Sequence, residues 1–245
     1  MFLEVDRRSG VGVTEAAQAL GISKSSASRM LRTLDDAGFT VMDQVTRRHY
    51  VGPTAFAVGS RFDGADLARI AQPILQDLAE QTHSTSQFGI LRDNQVMYLA
   101  VVQSSARLRV IASPGDMRFA HASSMGKAIL AAMPSGERAA ILESMTSDGG
   151  LLPPVGPHTI RDPALLRQDL DEIAARGYST SNEEVTAGVS AVGASIPNAA
   201  GIHVALSISF AAQNLPDATR QRWAEQVMSA AGATAKLLSR TLSAP

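Results

Sequence analysis

TEAAQALGISKSSASRMLRTL, residues Thr14 to Leu34, reads as two short helices joined by a tight turn. Thr14 can cap the first, and Ala16, Ala17 and Leu20 give it a small apolar face. Gly21 supplies the backbone freedom for the turn. Ser23 then caps a second helix in which Ala27, Met30, Leu31 and Leu34 recur at i, i+3, i+4 and i+7, the spacing of one buried stripe. At about 100° per residue the opposite side carries Ser25, Arg29 and Arg32, flanked by Ser26 and Ser28, with Lys24 at the N-terminal end. Hydroxyls and guanidinium groups on one exposed helix face suit phosphate oxygens and base edges in a major groove, so the pair is read as a helix-turn-helix.

The following stretch strengthens this. After Asp35-Asp36-Ala37-Gly38 comes FTVMDQVTRRHYVG, two short β-prone runs around a polar tip. A hairpin directly after a recognition helix forms a wing, whose Arg47, Arg48 and His49 are placed to grip the DNA backbone or enter the minor groove. The candidate DNA contacts are therefore Thr14, Ser23, Lys24, Ser25, Ser26, Ser28, Arg29, Arg32, Arg47, Arg48 and His49, and the partner is double-stranded operator DNA. Residues 1–60 hold seven Lys/Arg against six Asp/Glu, an excess of one in a chain of net charge −1. So small a footprint binds weakly as a single copy, and a dimer would double it. Ten residues, MFLEVDRRSG, precede Val11, so the first helix of this module is expected to be short or its start to lie upstream.

At 245 residues the chain is longer than one winged helix needs, and two domains are expected. Its composition is globular, 45% hydrophobic and 18% charged, and no apolar run reaches the ~18 residues of a membrane span. The absence of cysteine removes disulfides and thiolate metal sites and fits a cytoplasmic setting. Boundaries are placed at 1–52 for the winged helix and 53–66 for a linker helix, TAFAVGSRF, interrupted at Asp63-Gly64. Residues 67–245 form the larger domain, whose first helical pattern has Pro73 at a bend or restart.

Within that domain SQFGIL, QVMYLAVV and RLRVIAS read as strands, the first two a hairpin. HASSMGKAILAAM is a loop entering a helix, and further helices fall near Ser135–Ser144 and in DPALLRQDLDEIAARG, closed by Gly177. VSAVGASIP and HVALSISF flank a turn at Asn198-Ala199-Ala200-Gly201. A C-terminal helix presents Trp223, Val227, Ala230, Ala231 and Leu238 on one face. Hairpin-connected strands with helices segregated between them indicate an α+β domain rather than a doubly wound one.

Several strings, in order, resemble the IclR-type transcriptional regulators over nearly the whole chain: GISKSSASRMLRTL, the YVGP exit, GDMRFAHASSMGKAILA, RGYSTSNEEVTAGVSAVGASIP and the paired hydroxyls of ALSIS. The resemblance implies an N-terminal winged helix-turn-helix, a linker helix and a C-terminal GAF/profilin-like α/β effector-binding domain. It also implies a homodimer or homotetramer, with a small organic or aromatic acid as effector of repression or activation. Where some relatives carry an acidic residue and a cysteine near the effector, this chain has Asn182 and no cysteine.

The helix entered at Ser124, Met125 and Gly126 has free backbone N–H groups at its N-terminus, which favour an anion such as a carboxylate. On the resemblance Ser124 and Met125 face the effector and Asn182 borders it. Ser207 and Ser209, two apart in a strand, point inward from one face. Met125, Leu99 and Val192 are candidate apolar walls. The competing reading is a serine hydrolase, or a non-DNA ligand-binding module, built on Ser124 and Lys127, which fit Ser-x-x-Lys. A pattern with two fixed positions recurs by chance, and neither Ser-Asp-Asn nor Lys-Thr-Gly accompanies it. The chain is therefore read as a regulator without enzyme activity, with no cofactor and no metal. Its histidines form no His-x-x-x-His pair.

Overall fold

The computed structural model describes every residue except 8–9, 60–62, 105–109, 111, 147–149, 198–200, 213–215 and 243–245. It divides into two compact units, Met1–Ala65 and Asp66–Pro245.

The first unit contains α1 (Phe2–Arg7), α2 (Val13–Leu20), α3 (Lys24–Asp36), the β1 (Thr40–Met42) and β2 (His49–Val51) hairpin, and α4 (Pro53–Gly59). Its core is made of small residues: Val5, Val11, Ala16, Ala17, Ala27 and Leu31. Gly21 closes α2 in the left-handed conformation (φ 63°), and Ser23 caps α3 by accepting from the Ser26 N–H at 3.1 Å. Two expectations change. Val11 is bridged to His49 by a pair of backbone hydrogen bonds of 2.9 Å, which keeps the chain extended up to Gly12. Gly12 rather than Thr14 is therefore the N-cap of α2, and Thr14 lies exposed in its first turn. Met30, at the margin of the apolar stripe, is 49% exposed, because the small α2 face covers only Ala27 and Leu31.

The second unit is a three-layer sandwich. Its central sheet has the order β5-β4-β3-β8-β7-β6, antiparallel throughout: β3 Thr85–Arg92, β4 Gln95–Val102, β5 Met117–Phe119, β6 Ser179–Asn182, β7 Val189–Ser195 and β8 Val204–Ala211. One face packs on α5 (Asp63–Thr82) and α9 (Asp217–Leu242), through Leu67, Leu75, Val227 and Leu238 against Phe88, Ile90, Leu206 and Ile208. The other packs on α6 (Ser124–Ala132), α7 (Ser135–Met145) and α8 (Pro163–Arg176). This is the α+β, GAF/profilin-like arrangement.

Three details differ from the sequence reading. The α5 helix begins at Asp63 and runs through Pro73 without a restart. RLRVIAS lies mostly outside the described residues, Val110 and Ala112 are not in a strand, and the edge strand is instead Met117–Phe119. SNEEV hides a strand in front of it, β6, whose polar STSN alternates buried and exposed. The turn at Asn198-Ala199-Ala200 lies outside the described residues.

Candidate nucleic-acid interface and ligand cavity

On α3 the side chains of Lys24, Ser25, Arg29 and Arg32 are exposed, Ser26 and Ser28 half-buried, and Ala27 and Leu31 buried behind them. Ser23 combines two tasks, since its hydroxyl both caps the helix and bonds to the Ser25 and Ser26 hydroxyls at 2.9 Å. The wing tip is ordered by Asp43, which accepts from the Val45 and Thr46 N–H groups and the Thr46 hydroxyl. These bonds hold its carboxylate below the usual range. Arg47, in the left-handed region at φ 56°, is exposed there.

Arg48 and His49 face the scaffold. The Arg48 guanidinium donates to both oxygens of Glu15 (3.0 and 2.9 Å) and to the Gly10 carbonyl. His49 is buried, its Nδ1 2.9 Å from Asp35, which also accepts from Thr40. In β2 His49 is the buried residue, with Tyr50 and Val51 exposed. Neither side chain is thus turned outward as the sequence suggested. They brace the wing against α2 and against the last turn of α3.

In the second unit the N-terminus of α6 is pressed onto the sheet. A Cβ on Gly193 of β7 would come 2.9–3.0 Å from the Ser124–Met125 peptide, and one on Gly126 would overlap the Ala120 backbone at 2.3 Å. Ser179 donates to the Ser124 carbonyl at 2.5 Å and Ser181 to that of Ala122 at 2.9 Å. Ser123 caps the helix, its hydroxyl accepting from Gly126 N–H and its carbonyl from Lys127 N–H. That leaves the first two N–H groups, of Ser124 and Met125, without an intrahelical acceptor.

These residues border a cavity of about 390 Å³ between α6 and the sheet. Its walls come from Gln87 and Tyr98 on β3 and β4, from Arg118 on β5, from Ser209 and Ala211 on β8, and from the Val185–Val189 turn. Burial holds the Tyr98 phenol above its ordinary range, and the Arg118 guanidinium lies 5.5 Å from its ring. Gln87 is fully buried: its amide oxygen accepts from Ser207 (2.9 Å) and Ser209 (3.3 Å), while Nε2 has no partner among the described residues.

Of the sequence candidates, Ser124, Met125 and Ser209 line this cavity. Gly126 is a spacer against Ala120, and Ser207 reaches only as far as Gln87. Leu99 and Val192 lie on the opposite sheet face with α5 and α9, because their neighbours Tyr98 and Ala191 take the cavity side. Asn182 is likewise turned outward, accepting from Ser190 at 2.8 Å. Gln87, Tyr98 and Arg118 were not identified from sequence. The available signal was a glutamine two residues into a strand that continues as the apolar FGIL.

Lys127 is fully enclosed and its amine is committed to two carboxylates, donating at 2.8 Å to both Asp169 of α8 and Glu184. Burial nonetheless keeps the Glu184 carboxyl above its ordinary range, against the pull of Lys127. A serine–lysine hydrolase would need this amine on the hydroxyl.

A family profile described as the IclR helix-turn-helix domain matches residues 6–44, and the profile of the bacterial transcriptional regulator IclR C-terminal domain matches residues 60–236. The chain belongs to the IclR family. It is 36% identical over 225 residues to the HTH-type transcriptional regulator BhcR of Paracoccus denitrificans, covering 91% of this chain and 79% of that protein. With the transcriptional repressor IclR of Escherichia coli it shares 32% over 194 residues, 76% of this chain and 67% of that one. A solved IclR homolog from Microbacterium hydrocarbonoxydans, complexed with 4-hydroxybenzoate, has the same fold (TM-score 0.82, 21% identity, covering 98% and 96% of the two chains). This IclR-family chain is a transcriptional regulator, not an enzyme. No helix among its described residues is long and apolar enough to cross a membrane.

Proposed function

We propose that this IclR-family regulator binds operator DNA as a homodimer or dimer of dimers, under the control of a small organic acid seated at the N-terminus of α6. The observation that carries the ligand is the cavity at that terminus. It joins two uncommitted N–H groups, Ser124 and Met125, to the Arg118 guanidinium and to mostly apolar walls. The 4-hydroxybenzoate in the Microbacterium homolog supports an acid of this size. Seated acid would bias the second unit toward one conformation and so alter how two DNA-reading heads meet half-sites about 34–36 Å apart.

Purified protein should shift its own upstream intergenic DNA at low salt. Arg29→Ala and Arg32→Ala should each lower the slope of log affinity against log salt by about 0.9. No shift, or unchanged slopes, rejects the DNA half of the proposal. Ser124→Pro tests the acid half. Ser124 is the first helical residue, where proline is tolerated, and Ser123 is already extended (φ −89°, ψ 145°). The variant removes one N–H while keeping the helix. Carboxylates that raise the wild-type melting temperature should then no longer do so, and an undiminished response refutes the seat.

A further inference from the structure

We infer that Gln87 determines which acids this regulator accepts, by requiring a hydrogen-bond acceptor at the end of the effector remote from its carboxylate. The inference rests on the α6 seat proposed above and adds the chemistry of the opposite end. Gln87 has no solvent exposure, yet its amide is only half satisfied: Oε1 takes both serine hydroxyls and Nε2 has no partner among the described residues. A buried donor left unmade costs far more than an ordinary hydrogen bond contributes, so an occupant that reaches this residue of the cavity wall and pairs its NH2 group is favoured over one that does not.

The two serines make the group a donor. Ser207 and Ser209 both donate to Oε1, so in this arrangement Nε2 is the end of the amide left for an occupant. A carbonyl or ether oxygen there is paired, a methyl group leaves the amide orphaned, and an ammonium sets donor against donor. The hydroxyls assigned by sequence to the effector thus act through Gln87: Ser207 and Ser209 are positioning residues.

Sheet register sets where the acceptor falls. Gln87 pairs with Ser207, and Ser207 pairs with Gly193, the glycine against which the Ser124–Met125 peptide rests. Two strand spacings, about 9–10 Å, therefore separate the Gln87 backbone from the acid seat. The Gln87 side chain and a hydrogen bond of about 3 Å at each end share that span with the effector. The class inferred is a carboxylic acid that carries a second oxygen acceptor, a carbonyl on its chain or ring.

Isothermal titration of the full chain with three probe pairs tests this: 4-oxopentanoate against 4-methylpentanoate, 5-oxohexanoate against 5-methylhexanoate, and 4-acetylbenzoate against 4-isopropylbenzoate. In the wild type the best-fitting oxo acid should bind at least about tenfold more tightly than its isostere. Gln87→Leu should bring that ratio to about one while leaving the isostere's affinity in place, which also shows that the variant is folded. Ser207→Ala with Ser209→Ala should lower the ratio in the same way, because the freed amide can turn its oxygen outward. Gln87→Glu should favour 4-aminopentanoate over 4-oxopentanoate. Acids that bind the wild type without preferring the oxo member, or a preference that survives Gln87→Leu, overturn the role of Gln87 and leave the seat standing. Failure of every acid to bind overturns both.

Discussion

Replacing Gly126 with alanine should destabilise the second unit, although helix propensity alone says the opposite. Alanine is better than glycine by about 0.8–1.0 kcal/mol in a helix interior. Here the added methyl would lie 2.3 Å from both Cα and O of Ala120, where carbon contacts settle at about 3.5–4.0 Å. These are backbone atoms with no rotamer to turn, so α6 and the Ala120 backbone must part by about 1 Å and loosen Met125, Ile129 and Leu130. Overpacking of this kind costs about 1–3 kcal/mol, at the upper end when backbone must move, leaving a net loss of about 1–2 kcal/mol. Gly232→Ala in α9 is the control, since its methyl would meet nothing within 4 Å and should yield the full propensity gain. At about 2–4 °C per kcal/mol for a unit of this size, the two variants should melt about 4–12 °C apart. Trp223, the only tryptophan, lies in α9 edge-on to Phe210 with ring centroids 4.8 Å apart, so its fluorescence reports this unit. A Gly126→Ala midpoint at or above that of the wild type would refute the close approach of α6 to Ala120.

Two further outcomes concern the buried charges behind the cavity. His121 is held below its ordinary pKa by burial, with Lys127 adding to the effect, so its stabilising contribution is complete above about pH 6.5 and is lost as pH falls through the lower folded value. Unfolding free energies from urea titrations between pH 7.5 and 5 should fall more steeply in the wild type than in His121→Gln, by up to about 1.4 kcal/mol per pH unit, and parallel curves would exclude it. Lys127→Met strands Glu184 and Asp169 and should cost about 3–5 kcal/mol. Because Glu184 already sits above its ordinary value of 4.5, its protonated form is the one that folding favours. The deficit should therefore be smaller at pH 5 than at pH 8, and a loss under about 1 kcal/mol or one independent of pH would count against the buried pair.

Local chemistry was legible in the sequence wherever one residue's own preference decides the outcome. Gly21, Ser23 and Gly177 terminate or start helices as their backbone and side chains dictate, and the hairpins follow from their turn residues. The candidate site was legible only in part, because a strand's alternation says that two faces differ without saying which helix covers each. Val192 and Leu99 were apolar and close to the right positions, yet one step along the strand put them under α5 and α9. Arg48 and His49 failed for a related reason. Their partners Glu15 and Asp35 lie 33 and 14 residues away, and nothing local announces such pairings. Gln87 required the register of three strands, since only the neighbouring β8 serines reveal which end of its amide is spoken for.

The glycine contacts beneath α6 divide the proposed effector site into a part that can drift and a part that cannot. The acid end is offered by main chain, so exchanging Ser124 or Met125 for most other residues leaves its N–H groups in place. Only a proline or a shift of the whole helix removes them, and Gly126 and Gly193 set that position from below. The rest of the lining includes the side chains of Gln87, Tyr98 and Arg118. Single substitutions there can redirect the regulator from one acid to another while its ability to hold a carboxylate persists. A change of effector would then be a short mutational step, whereas losing the proposed response to acids altogether would mean disturbing the fold.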